Sequence, residues 1–209
     1  MNRLDQIIAE RMPTVMVPAY EDLSAIKEDE ARFLMARSGL YIETRTRWGR
    51  LVKHLWHSPR QLPYGNIEEF DTFKDVLSNA TVQSIIKHDV VCSAAEYARN
   101  NKEWGGFIAL TKNGFQYIPV EFDSTAVKIN YKMPVLPEGA VIAVDIHSHG
   151  RIAPFFSETD NKDDKGGVKI SVVLGNYRNE NKMDVFDIAV RYCIEGFHFD
   201  LDGKHEKEQ

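Results

Sequence analysis

The sequence predicts a mixed α/β protein, a sheet flanked by helices, with a small strand-rich module at its amino end. Three observations carry that reading. Val82, Ile86, Val90, Ala94 and Ala98 recur every four residues, the stripe of an amphipathic helix that stops near Asn100-Asn101. Ala140-Val141-Ile142-Ala143-Val144-Asp145-Ile146-His147 is rich in branched apolar residues and suits a strand buried on both faces. Short strand-like runs at residues 32–35, 40–48 and 51–56, broken at Gly39 and Gly49, fill much of the first part.

In chain order, those three runs predict an antiparallel meander. Residues 58–66, with Pro59, Pro63 and Gly65, are the best linker candidate, and the acidic Glu68-Glu69-Phe70-Asp71 follows. The boundary falls between about 58 and 80, giving a module over 1–75 and a larger domain over 76–209. The striped helix opens the second part and should lie on a sheet. Residues 104–110 predict a buried strand, Lys112-Asn113-Gly114 a tight turn, and residues 115–122 its antiparallel partner. After Pro134 and Pro137 comes the central strand at 140–147. Residues 168–174 and 185–194 complete a mixed sheet, and a polar tail begins at Lys204.

Composition narrows the function. The chain has 209 residues, 43% hydrophobic and 27% charged, with a formal charge of -5, which describes a globular protein and argues against wholesale coating of nucleic acid. No apolar run approaches the roughly 18 residues of a membrane span. Asp5, Glu10 and Arg11 stand where a secretory signal needs apolar text, so a cytoplasmic location is expected. Cys92 and Cys193 are the only cysteines and lie far apart, which rules out a disulfide framework or a C-x-x-C pair. Any metal is therefore held by His, Asp or Glu.

The chemistry-bearing residues follow the central strand. His147-Ser148-His149, then seven residues, Ser157, two residues and Asp160 give the pattern H-x-H-x7-S-x-x-D. Alternate residues of a strand face the same way, so His147 and His149 can offer ring nitrogens to one point. A carboxylate returning by a loop completes two His and one Asp, the ligand set of a catalytic zinc site that keeps its fourth position open. Ser157-Glu158-Thr159-Asp160 is also a capping box, and a helix started there fixes where Asp160 points.

This spacing resembles the JAB/MPN domain family with its JAMM zinc-peptidase motif, whose fold is cytidine-deaminase-like. In that family a glutamate between a helix and a strand precedes the histidines, and Glu103-Trp104-Gly105-Gly106-Phe107 looks like that segment. The resemblance covers roughly residues 80–195. It implies that His147, His149 and Asp160 bind Zn2+, that Glu103 is the general base and that Ser157 stabilises the tetrahedral intermediate. It also implies hydrolysis of a peptide or isopeptide bond, with a peptide or ubiquitin-like protein as substrate. Two departures stand out: Gly150 replaces the usual proline after the second histidine, and Gly105-Gly106 replaces Cys-Gly. Within the bacterial branches, residues 102–107 and 152–157 together with a separate amino-terminal region resemble the PRTRC system protein A family, which implies a cassette with ParB-related and ThiF-related proteins and so a ubiquitin-like or E1-like partner.

Other readings remain beside this one. A binding scaffold of the same fold would recognise a tail without cutting it. Arg45, Arg47, Arg50 and Lys53 with Trp48 and Trp56 could grip nucleic acid, or form the solvated face of a small sheet. His54-Leu55-Trp56-His57 lacks a third ligand nearby. Asp163 and Asp164 fall off the motif spacing and are expected to finish the first turns of a solvated helix. Asp145 shares a face with both histidines, either orienting an imidazole or standing as a strand carboxylate that is solvated or paired with Lys or Arg. A zinc deaminase would need H-x-E and P-C-x-x-C, and neither is in the sequence.

Overall fold

The computed structural model describes residues 2–120, 122–124, 129–131 and 134–201. It divides into two compact units, Met1–Val76 and Leu77–Gln209. The tail expected from Lys204 lies outside the described residues.

The first unit holds α1 (Arg3–Arg11), β1 (Thr14–Met16), β2 (Glu30–Ala36), β3 (Gly39–Thr46), β4 (Gly49–His57) and β5 (Phe70–Asp71), with the strands in that order across one sheet. β2, β3 and β4 form the expected meander. The sheet is larger than the meander, because β1 adds in parallel to β2 and β5 pairs antiparallel with β4. Gly39 opens β3 with φ 144°, and a Cβ there would meet the Trp56 carbonyl oxygen at 1.9 Å. Only glycine allows the two backbones to approach so closely.

Val17, Leu34, Ala36, Tyr41 and Val52 make an apolar core in this unit. Beside it Glu43, fully buried on β3, is held by two arginines. Arg32 Nε donates to one oxygen at 2.7 Å, and Arg50 donates from Nε at 2.8 Å and Nη2 at 2.5 Å to the other. Within the basic stretch singled out above, Arg50 engages Glu43, Arg47 lies 3.6 Å from Glu28 and Lys53 lies 3.5 Å from Glu69.

α2 (Phe73–Ser78) spans the division in the chain, and the second unit continues with α3 (Ala80–Ile85), a π-helical turn (Ile86–Val90) and α4 (Val91–Arg99). The turn explains the four-residue stripe. On a regular helix, residues four apart drift around the axis, and the wider π turn reverses that drift, so Val82, Val90, Ala94 and Ala98 are all buried, while Ile86 is half-buried and Ile85 takes the buried place expected of it. Asn79 caps the start of α3 by accepting from Thr81 and Val82.

The sheet of this unit has the order β13-β12-β11-β10-β6-β7, where β6 is Trp104–Thr111, β7 Gly114–Pro119, β10 Val141–Ser148, β11 Val168–Glu180, β12 Met183–Ile194 and β13 Phe197–Asp200. β10 pairs antiparallel with β6 and parallel with β11, which makes the sheet mixed. The partner of β6 ends earlier than residue 122. Pro119 has no N–H to extend the ladder, and Phe122 instead belongs to β8 (Phe122–Ser124), paired with β9 (Ile129–Tyr131). α5 (Glu158–Asp163) lies between β10 and β11 in the chain. Among the described residues no helix is long and apolar enough to cross a membrane.

Glu43→Ala would leave Arg32 buried and without its carboxylate. The first unit should lose about 3–5 kcal/mol of stability, read by denaturant unfolding.

Candidate metal centre

β10 carries alternating faces to its end. Val144, Ile146 and Ser148 are buried, while Asp145 and His147 point to the opposite face. The chain then turns at Gly150, whose φ of 59° is closed to proline and explains the departure noted after the second histidine. Residues 151–156 cross over β11 so closely that a Cβ on Gly175 would meet the Ile152 carbonyl oxygen and the Pro154 nitrogen at 2.4 Å. The Asn176 amide donates to Ile152 and the Tyr177 amide to Gly150, which fixes this loop.

Ser157 then starts α5. Its backbone N–H donates to Asp160 Oδ2 at 2.6 Å and its hydroxyl oxygen accepts from the Asp160 N–H at 3.2 Å, the reciprocal pair of a capping box. Oδ2 is thereby occupied, and Oδ1 faces His147 Nε2 at 3.4 Å. One ligand atom from each of His147, His149 and Asp160 lies within 4.8 Å of the others.

These residues fit a metal ion. Two donors at 2.0–2.1 Å from a tetrahedral centre lie about 3.3 Å apart, matching the His147–Asp160 spacing. His147 Nε2 is buried and has no hydrogen-bond partner among the described residues, a state that coordination would relieve. Burial, and then His147, hold the His149 pKa below its ordinary value, favouring the neutral imidazole that binds a cation. His149 Nδ1 lies 3.4 Å from the Ala153 carbonyl and its ring packs edge-on to Phe155 at 4.7 Å.

Glu103 follows α4 and directly precedes β6. Because Gly105 pairs with His147 and Trp104 with Ser148, the antiparallel register brings Glu103 to the level of His149. It is 8% exposed, and desolvation, followed by the charge of Asp160, raises its pKa to about 7. Gly106 is constrained in turn, since a Cβ there would meet the Tyr117 ring at 2.9 Å and the Trp104 ring at 3.1 Å.

Residues 88–189 match the family described as prokaryotic homologs of the JAB domain. The second unit carries a JAB-like domain. Residues 2–73 match a domain of unknown function, DUF2016. No curated protein matches the chain.

Two expectations around the JAB-like site are corrected or decided. Asp164 is no solvated helix residue: it is buried and accepts hydrogen bonds from Ser171 and Arg191, whereas Asp163 is exposed. Burial would lift its pKa, but Lys169 and Arg191 outweigh that and bring it to about 2. Asp145 takes the paired alternative, accepting from Lys169 Nζ at 2.5 Å. Lys169, Ser171 and Arg191 were not singled out in the sequence, and Cys193 only as one of two distant cysteines. Their signal is alternation, polar residues at every second position of otherwise apolar strands. A cleft of about 870 Å³ lies beyond the loop, lined by Phe155, Phe156, Asn161, Ile188 and Arg191 among others, and none of His147, His149, Asp160 or Glu103 lines it.

Gly175→Ala would push the 151–156 loop off β11. The protein should stay folded with metal affinity reduced on the order of 10-fold, measured by chelator competition.

Proposed function

We propose that the JAB-like domain is a zinc-dependent hydrolase of a peptide or isopeptide bond, with the ion held by His147, His149 and Asp160. The observation that carries this reading is their convergence beside a buried carboxyl, Glu103, whose pKa of about 7 suits proton transfer at neutral pH. The JAB family includes peptidases, and the His-His-Asp cluster resembles a JAMM motif.

Zinc, when bound, supplies Lewis acidity, acidifying water to a pKa near 7 and polarising a carbonyl. Glu103 takes the proton of the attacking water and delivers it to the leaving amine. Ser157 uses its hydroxyl oxygen as an acceptor in the capping box, so its proton remains available for the developing oxyanion. Asp160 would offer Oδ1 to the ion, since the Ser157 amide holds Oδ2.

The substrate in this reading is a peptide or ubiquitin-like protein with an extended tail. Half-exposed Ile152 and Phe155 at the loop beside His149 offer apolar surface for it. The narrower assignment, PRTRC system protein A with a ThiF-related, E1-like partner, rests on residues 102–107 and 152–157 together with the separate amino-terminal region.

The purified chain should hold close to one zinc per molecule by elemental analysis, and His147→Ala, His149→Ala and Asp160→Ala should each lose it. Full zinc in all three variants would place the site elsewhere. Glu103→Gln should keep zinc and fold while hydrolysis of ubiquitin-like conjugates or linear tails falls about 10²- to 10⁴-fold. Equal initial rates in the two forms would remove Glu103 from the mechanism.

A further inference from the structure

α5 brings Asp160 to the histidines, yet little in the helix itself explains why it stays there. It has six residues, all polar, and none of them is buried. A helix this short has no stability of its own, and no apolar face seats it. The capping box shapes its first turn but does not attach it to the sheet.

The attachment is ionic. Beneath α5, strand pairing aligns Asp145 with Ser171 and Ser171 with Arg191, and aligns Lys169 with Cys193. Asp164, the residue that ends α5, reaches into this polar face and is 4% exposed. Its Oδ1 meets Lys169 Nζ at 2.7 Å. Its Oδ2 accepts from Arg191 Nη2 at 2.6 Å, Arg191 Nε at 3.2 Å, Ser171 Oγ at 3.0 Å and Cys193 Sγ at 3.3 Å. Arg191 also donates to Asn161 Oδ1 at 2.6 Å and lies under the Phe156 ring at 3.9 Å from its centroid. Lys169 reaches Asp145 as well, two residues before His147 and on the same face of β10. Lys169 therefore joins α5 to β10, Arg191 holds α5 on β12, and the two carboxylates balance the two cations.

We propose that Asp164 is the positioning residue of the metal site: clamped by Lys169 and Arg191, it holds α5, and so Asp160, in register with His147 and His149. This rests on the reading of that triad as a metal centre. Asp164 touches neither metal nor substrate, and it acts through Asp160, whose carbonyl accepts from the Asp164 amide at 2.9 Å. The site is preorganised by a buried charge cluster instead of by apolar packing.

The test is Asp164→Asn in the full chain, with Glu43→Gln as a control that disturbs a buried ion cluster in the first unit. In the metal-free protein, hydrogen exchange at the Asn161 and Asp164-position amides should accelerate on the order of 10-fold or more while β10 keeps its protection. Zinc affinity by chelator competition should fall about 10- to 100-fold. The control should melt earlier with zinc affinity unchanged. Arg191→Lys keeps the charge but loses the forked donor, and should give a smaller loss of both; it also serves if Asp164→Asn does not fold. A variant that melts earlier yet keeps wild-type zinc affinity and α5 exchange would overturn the proposal. Wild-type protein that takes up no zinc would overturn the functional reading, and α5 exchange in the metal-free protein would then decide this one.

Discussion

The two neighbours of β10 set the site. β6 runs antiparallel beside it and β11 parallel, so the chain leaving β10 has to cross back along the sheet before it can enter β11. That crossing delivers the 151–156 loop and then α5. The antiparallel neighbour delivers the start of β6, and with it Glu103, to the end of β10 where the histidines emerge. An antiparallel β11 could follow β10 through a tight turn, with no need for a crossing connection to carry Asp160. Gly150 and Gly175 serve the same crossing, one by its left-handed φ and the other by leaving room for the loop backbone.

A polar helix on a sheet needs polar seating. The strands below α5 carry Lys169, Ser171, Arg191 and Cys193 where an ordinary core would carry aliphatic side chains, and Asp164 is what they meet. Burial raises the Cys193 thiol to about 12, so it serves as a neutral donor and not as a nucleophile. Such a cluster is sensitive: each charge is tolerated only because its opposite is present, and deleting one strands the other in a poorly solvated place. The opposite face of the sheet is conventional, with Val144 and Ile146 buried on it.

Much of this was legible in the sequence because periodicity and spacing are local signals. The run of branched apolar residues in 140–147 announced β10, the stripe from Val82 to Ala98 announced the helical stretch, and Ser157-Glu158-Thr159-Asp160 announced the start of α5. What stayed hidden depends on partners distant in the chain. The parallel addition of β1 to β2 leaves no mark in a three-residue strand, and the early end of β7 follows from Pro119 meeting its ladder. Asp164 read as a surface residue because its helix is polar throughout; only the fold shows that Lys169 and Arg191 converge on it. Asp145 was ambiguous for the same reason, since strand alternation gives its face but not its partner.

The central claim is a metal centre of two imidazoles and one carboxylate with an open position. X-ray absorption at the zinc edge of the zinc-loaded full chain tests it most directly. The account predicts a four-coordinate ion with two imidazole nitrogens at about 2.0–2.1 Å, oxygen for the remainder and no sulfur. A sulfur scatterer near 2.3 Å, which only Cys or Met could supply, or an ion coordinated by oxygen alone would contradict it.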